Sequence, residues 1–146
     1  MLNKKIAYLI KLNNKIFRST QFHLDKELKI YELSSGSYPY LLMLYENEGI
    51  SQNEISKELD CDKAMSARTI TKLIKLGYIY RKENDIDSRA YKIYLTAKAK
   101  DVIPKVIEKI HKLVDLITLD LTEEQKIITI NSLDKVLNNI KNLKLG

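Results

Sequence analysis

Three groups of residues have types and spacings that could do chemistry, and the chemistry is recognition of a polyanion. Arg68 and Lys72 stand one helical turn apart, with Thr69 between them. Arg89 follows Asp87 by two residues, within "ENDIDSRAYKIYLT" (83–96), a polar cluster that gives way to strict alternation. Lys63, Lys82 and the Ser51-Gln52 pair complete the set. A guanidinium can pair bidentately with guanine, a threonine can touch a thymine methyl or a phosphate, and lysines neutralise phosphates. No nucleophile–base set and no phosphate loop is present, so an enzyme is not expected.

The charge map supports this choice. Net charge is +6 over 146 residues. Residues 60–100 carry 10 Lys/Arg against 5 Asp/Glu, whereas 1–59 carry 8 against 7 and 101–146 carry 7 against 7. The excess is concentrated in one internal segment, as in an electrostatic footprint for nucleic acid. The plain alternative is a solvated basic face.

Those residues need elements to position them. Apolar residues at three- and four-residue steps predict helices over 4–30, 38–47, 51–59, 63–76, 97–118 and 123–143. Ser51 with Glu54, and Thr122 with Gln125, read as capping boxes. Asp62 is an N-cap, Gly77 a C′ glycine, and Pro39 fits a first helical turn. Residues 78–80 and 91–95 are the arms of a hairpin, with Tyr91, Ile93 and Leu95 on its inner side. Helix, tight turn, helix, hairpin is a winged helix-turn-helix, here set between amphipathic helices: a mainly α fold with a short β-hairpin wing. On a helical wheel of 63–76, Ala67, Ile70 and Ile74, flanked by Ala64 and Leu73, form the buried stripe. Met65, Arg68, Thr69, Lys72 and Lys75 face outward, and Lys63 and Ser66 belong to the same DNA-facing set. The first residues of such a helix meet base edges most directly. Ser51 and Gln52, opening the preceding helix, suit a phosphate.

The stretch "GISQNEISKELDCDKAMSARTITKLIKLGYIYRKENDIDSRAYKIYLTAKAK" (49–100) resembles the MarR (multiple antibiotic resistance regulator) family of transcription factors. The resemblance rests on Leu73-Ile74-Lys75-Leu76-Gly77-Tyr78-Ile79 with Arg81, and on Asp87-Ser88-Arg89 with Ile93-Tyr94-Leu95-Thr96. It implies a single domain over 1–146, with a winged region at about 38–97 and dimerisation helices at about 4–30 and 97–143. It implies a homodimer gripping double-stranded DNA at an inverted-repeat operator, as a repressor released by a small ligand. The wing arginine, here Arg89, would enter the minor groove, aimed by Asp87, with Lys82 on phosphate. Ala67 stands where many relatives carry serine, and Met65 replaces a small polar residue; both bear on base preference. The apolar stripes on 4–30, 97–118 and 123–143 exceed what one winged domain covers, which independently favours a dimer.

The resemblance also implies an aromatic effector, for which Tyr8, Phe17, Tyr38, Tyr40, Tyr45 and His111 are the candidate lining. Aromatic residues at helical spacing are equally ordinary core. Cys61 lies between Asp60 and Asp62, which oppose a thiolate and favour an inert role. One cysteine and two histidines offer no convincing metal set, and no cofactor is expected. The apolar run Ile6–Ile10 is too short for a signal peptide, and no stretch approaches a membrane span; a cytoplasmic protein without membrane contact is expected. The competing reading is a helical dimer for protein interaction whose winged domain does not bind DNA.

Overall fold

The computed structural model describes residues 2–83 and 91–143. Six helices and three strands follow in the order α1 (Leu2–Leu28), a 3-10 turn (Lys29–Tyr31), α2 (Tyr38–Glu46), β1 (Ile50–Ser51), α3 (Gln52–Glu58), α4 (Lys63–Lys75), β2 (Ile79–Glu83), β3 (Tyr91–Leu95), α5 (Ala97–Ile117) and α6 (Glu123–Lys141). The predicted helices are present, with ends shifted by one or two residues. The first stops at 28 because the chain tightens into the 3-10 turn and leaves it through Glu32 at φ 58°. The short strand β1 is not anticipated in the sequence.

Local chemistry explains the boundaries. The Ser51–Glu54 and Thr122–Gln125 boxes both close at their helix starts. The Met65 N–H donates to Asp62 Oδ1 at 2.7 Å, capping α4. At the other end of α4, Gly77 sits at φ +81°. Its N–H reaches the Ile74 carbonyl, and the Tyr78 N–H reaches that of Leu73. That is a Schellman ending, which satisfies carbonyls the helix would otherwise leave bare.

The sheet is antiparallel in the order β1-β3-β2. Register pairs Ile50 with Ile93, Arg81 with Ile93 and Lys82 with Lys92. The chain divides into two compact units, residues 1–109 and 110–146. In the first, Leu28, Tyr40, Leu41, Leu44, Ile55, Ile70, Leu73, Tyr78, Ile79, Ile93 and Ile103 are buried almost completely. They come from α1, α2, the helix-turn-helix, the two hairpin strands with Tyr78 just before them, and α5, so one core fixes all of them to each other. In the second unit, no described residue is buried within a single chain.

Two residues before β1, Glu48 acts as a hook for β3. The Leu95 N–H donates to Glu48 Oε1 at 2.8 Å, while Glu48 Oε2 lies 3.5 Å from Lys100 Nζ. Next to it, the Gly49 N–H donates to the Ile93 carbonyl at 2.9 Å. Gly49 holds φ +79°, and a Cβ there would meet the Tyr94 hydroxyl at 3.1 Å. Gly49→Ala is therefore expected to cost about 1–2 kcal/mol, since an L side chain is strained in that region. Gly36→Ala, where a Cβ would have only Ser34 Oγ at 3.8 Å, should be nearly neutral. Thermal denaturation of the two variants side by side checks the difference.

Candidate nucleic-acid interface

α4 has 13 residues, and its two sides divide sharply. Ser66, Ile70 and Leu73 are buried, Ala67, Thr69 and Ile74 are half-buried, and Lys63, Ala64, Met65, Arg68, Thr71, Lys72 and Lys75 are exposed. The buried line is thus 66, 70 and 73, rotated from the apolar stripe that the sequence suggests. Ala64, expected on its flank, faces outward instead. A shallow cleft of about 470 Å³ runs along the exposed side, lined by Ala67, Arg68, Thr71, Lys72 and Lys75. Its floor is aliphatic stem and methyl, and its rim is cationic.

Ser66 is the clearest correction. The sequence reading puts it in the DNA-facing set, yet it is fully buried, with its hydroxyl 3.1 Å from that of Tyr40. A buried hydroxyl is tolerated where it finds a partner, so a polar residue occupies the core line. Tyr40, offered as a ligand contact, is for the same reason a core residue of α2. Burial raises its hydroxyl pKa above the ordinary 10.0, partly opposed by the Ser66 hydrogen bond. Ser66→Ala leaves the Tyr40 hydroxyl without that partner and is expected to lower stability by about 1–3 kcal/mol. Tyr40→Phe in the Ser66→Ala background should return much of the loss, which urea denaturation of both variants would reveal.

Ser51 is half-buried; its hydroxyl accepts from the Glu54 N–H at 3.2 Å and lies 3.1 Å from the Glu54 carboxylate, so the cap already engages it. Gln52, beside it, is half-buried. Lys82 is exposed on β2 and directly opposite Lys92. Like charges facing across a ladder are unfavourable, and this pair holds two cations near the loop end of the two strands. Tyr80 and Tyr94 stack beside them with ring centroids 5.6 Å apart. Ile93 and Leu95 anchor the return arm in the core, but Tyr91 is exposed. Asp87 and Arg89 lie outside the described residues.

The proposed ligand-lining residues of the first unit differ in exposure. Tyr8, Phe17 and Tyr45 are exposed, and Tyr40 is core. Tyr38 lines a cleft of about 320 Å³ with Leu42, Met43, Glu46 and Glu58. His111 belongs to the second unit.

Three positioning residues escape a sequence reading. Lys98 Nζ donates to the Leu76 carbonyl at 2.7 Å and lies 4.4 Å from the centre of the Tyr78 ring, placing a cation at the negative end of α4. Thr96 Oγ1 donates to the Gly77 carbonyl at 2.6 Å and accepts from the Ala99 N–H, capping α5 while holding the end of α4. Thr71 shares the cationic cleft. Thr71 carries a signal in its spacing, three residues after Arg68 on the same helical face, and Thr96 in its place directly before the predicted helix 97–118, whereas Lys98 carries none.

No group of three or more potential metal ligands occurs among the described residues, and none of their helices is long and apolar enough to cross a membrane.

Comparison with known proteins agrees with this architecture. The MarR family model matches residues 33–91. The HTH-type transcriptional regulator BilQ of Clostridioides difficile is 36% identical over 100 residues, spanning 68% of this chain and 66% of that protein. The HTH-type transcriptional regulator YybA of Bacillus subtilis is 30% identical over 115 residues, 79% of this chain and 77% of its own length. The structure of a MarR family transcriptional regulator from Listeria monocytogenes, complexed with 26mer DNA, superposes with a TM-score of 0.86 at 25% identity, covering 94% of this chain and 97% of that one. A capped helix-turn-helix with a cationic outer face, a hairpin clamped to the same core and this set of relatives lead to one assignment: the chain belongs to the MarR family of winged helix-turn-helix, DNA-binding transcriptional regulators.

Proposed function

We propose that two copies of this chain form a repressor that grips an inverted-repeat operator and releases it when a small aromatic molecule binds. α4 would enter the major groove, presenting Arg68 and Met65 to base edges and Lys72 to phosphate. Arg89, oriented by Asp87, would enter the adjacent minor groove, where a guanidinium meets concentrated negative potential. Lys63 and Lys82 would hold the backbone on either side. The observation that carries the reading is the division of α4: its inner line is locked into the core, and its exposed side collects Arg68, Lys72 and Lys75.

Dimerisation is supported by apolar surface that a single chain leaves open. Ile6, Ile10 and Phe17 on α1 and Ile130 and Ile140 on α6 are more than half exposed. Such stripes are covered by a partner in stable proteins. Phe17 lies on that open stripe, where an effector would compete with the packing between copies.

The test is a gel shift on inverted repeats whose half-sites are about one helical turn, about 10 base pairs, apart. Arg89→Ala should weaken binding by about 1–3 kcal/mol, on the order of tenfold to a hundredfold, with an unchanged melting temperature. Wild-type affinity in both Arg89→Ala and Arg68→Ala would overturn the docking mode and favour the protein-interaction reading.

A further inference from the structure

The charge of the first 59 residues nearly cancels, but it is segregated. Residues 2–29 carry seven Lys/Arg against two Asp/Glu, while the acids of that half of the chain gather at 32–58. Five of the cations, Lys4, Lys11, Lys15, Arg18 and Lys26, fall within about 40° of one line along α1 at 100° per residue. All five are exposed. None has an ion-pair partner among the described residues. The two acids of the helix are used elsewhere: Glu27 pairs with Lys109 at 3.2 Å, and Asp25 accepts from the Ser35 N–H at 2.7 Å. Tyr8 and Phe22 interleave with the cations, and Lys15 Nζ lies 5.7 Å from the centre of the Tyr8 ring.

Like charges three and four residues apart, as in Lys11, Lys15 and Arg18, weaken a helix. A stripe that retains them along its whole length is shaped for an extended anion. We propose that this outer face of α1 is a second docking surface, independent of sequence, for the phosphate backbone of duplex DNA. The row from Lys4 to Lys26 is about 33 Å long at 1.5 Å per residue, close to one turn of the duplex at about 34 Å. Two aromatic rings are too few to anchor the helix in a bilayer, and the larger apolar residues Ile6, Ile10 and Phe17 lie on the opposite side. Backbone contacts of this kind raise affinity for any duplex and carry no base preference. The partner is the one already proposed for α4, but the surface is separate and can be tested separately.

The experiment uses the full chain and a random-sequence duplex, with binding followed by fluorescence anisotropy across a salt series. Lys11→Gln, Lys15→Gln and Arg18→Gln are combined in the Arg68→Ala/Lys72→Ala background, so that the two central contacts of α4 are already removed and any further loss belongs to α1. Residual duplex binding in that background should fall at least tenfold on adding the three glutamines. The slope of log affinity against log salt should drop by about 0.9 for each phosphate that is no longer neutralised, about 3 per chain. Lys11→Arg with Lys15→Arg should instead retain the binding, which separates charge from folding. An unchanged slope in the glutamine variant overturns the proposal. So does glutamine-sensitive capture by phosphatidylserine vesicles without any change on DNA. Failure of the α4 reading would look different: Arg68→Ala/Lys72→Ala would keep full preference for operator over random duplex.

Discussion

Arg68→Ala combined with Lys72→Ala is expected to remove operator recognition at physiological salt and to leave the fold intact. Both side chains are exposed, and neither has an ion-pair partner among the described residues. They stand four residues apart, so their removal relieves a like-charge repulsion of about 0.2–0.5 kcal/mol. The melting temperature should therefore hold or rise slightly. DNA binding should behave in the opposite way. A bidentate arginine on guanine contributes about 1–3 kcal/mol of base discrimination, and the lysine adds a salt-dependent phosphate contact. The combined loss is on the order of a hundredfold or more per half-site. Anisotropy titrations on operator and scrambled duplexes separate the two contributions. The arginine change should narrow the gap between the duplexes, and the lysine change should weaken both while flattening the salt dependence. Lys75→Ala, nearer the C-terminal end of α4, should do much less. Equal effects of all three changes on both duplexes would mean that α4 is only a charged surface.

What is legible in the sequence is chiefly what is local. Asp62, Gly77 and the two capping boxes signal their helix ends because the partners lie within a few residues. The rotation of α4 is not legible for the opposite reason. Ser66 joins the core line through Tyr40, 26 residues away, and a polar side chain gives no sign in a hydrophobic pattern that its hydroxyl will be satisfied. Glu48 is equally silent, since its bond to the Leu95 N–H spans 47 residues. β1 has two residues, too few to alternate, and exists only because Ile50 finds Ile93 across the sheet. The basic face of α1 is hidden by averaging. Segment charge sums it with the acids of 32–58, whereas the helical phase keeps them apart. The wing pair Asp87 and Arg89 lies outside the described residues, and its role rests on the family resemblance.

The second large effect concerns the surface that a single chain leaves uncovered. Ile130→Asp with Leu137→Asp, seven residues apart on one face of α6, is expected to give a monomer. No residue of α6 is buried in one chain, although Ile127, Ile130, Leu133, Leu137 and Ile140 recur along it. A 19-residue amphipathic helix in a protein gains most of its stability from packing such a face rather than from propensity. Covering these stripes at about 25 cal/mol per Å² over a standard interface of about 1,600 Å² is ample to order the helix. Two aspartates would have to be desolvated at that interface without partners, a cost of several kcal/mol. Sedimentation should then show one chain, helical content should fall as α6 frays, and the concentration dependence of the wild-type melting temperature should vanish. Operator affinity should collapse even though α4 and the hairpin are untouched. In the dimer, binding of one half-site presents the second winged unit at millimolar effective concentration, an advantage of about 10²–10⁴ that the monomer forfeits. Binding to a single isolated half-site should survive, weak and unchanged. That contrast is the decisive measurement: equal losses on half-site and full operator would point to misfolding, and a variant that sediments and binds like wild type would mean that this face of α6 is not an interface between copies.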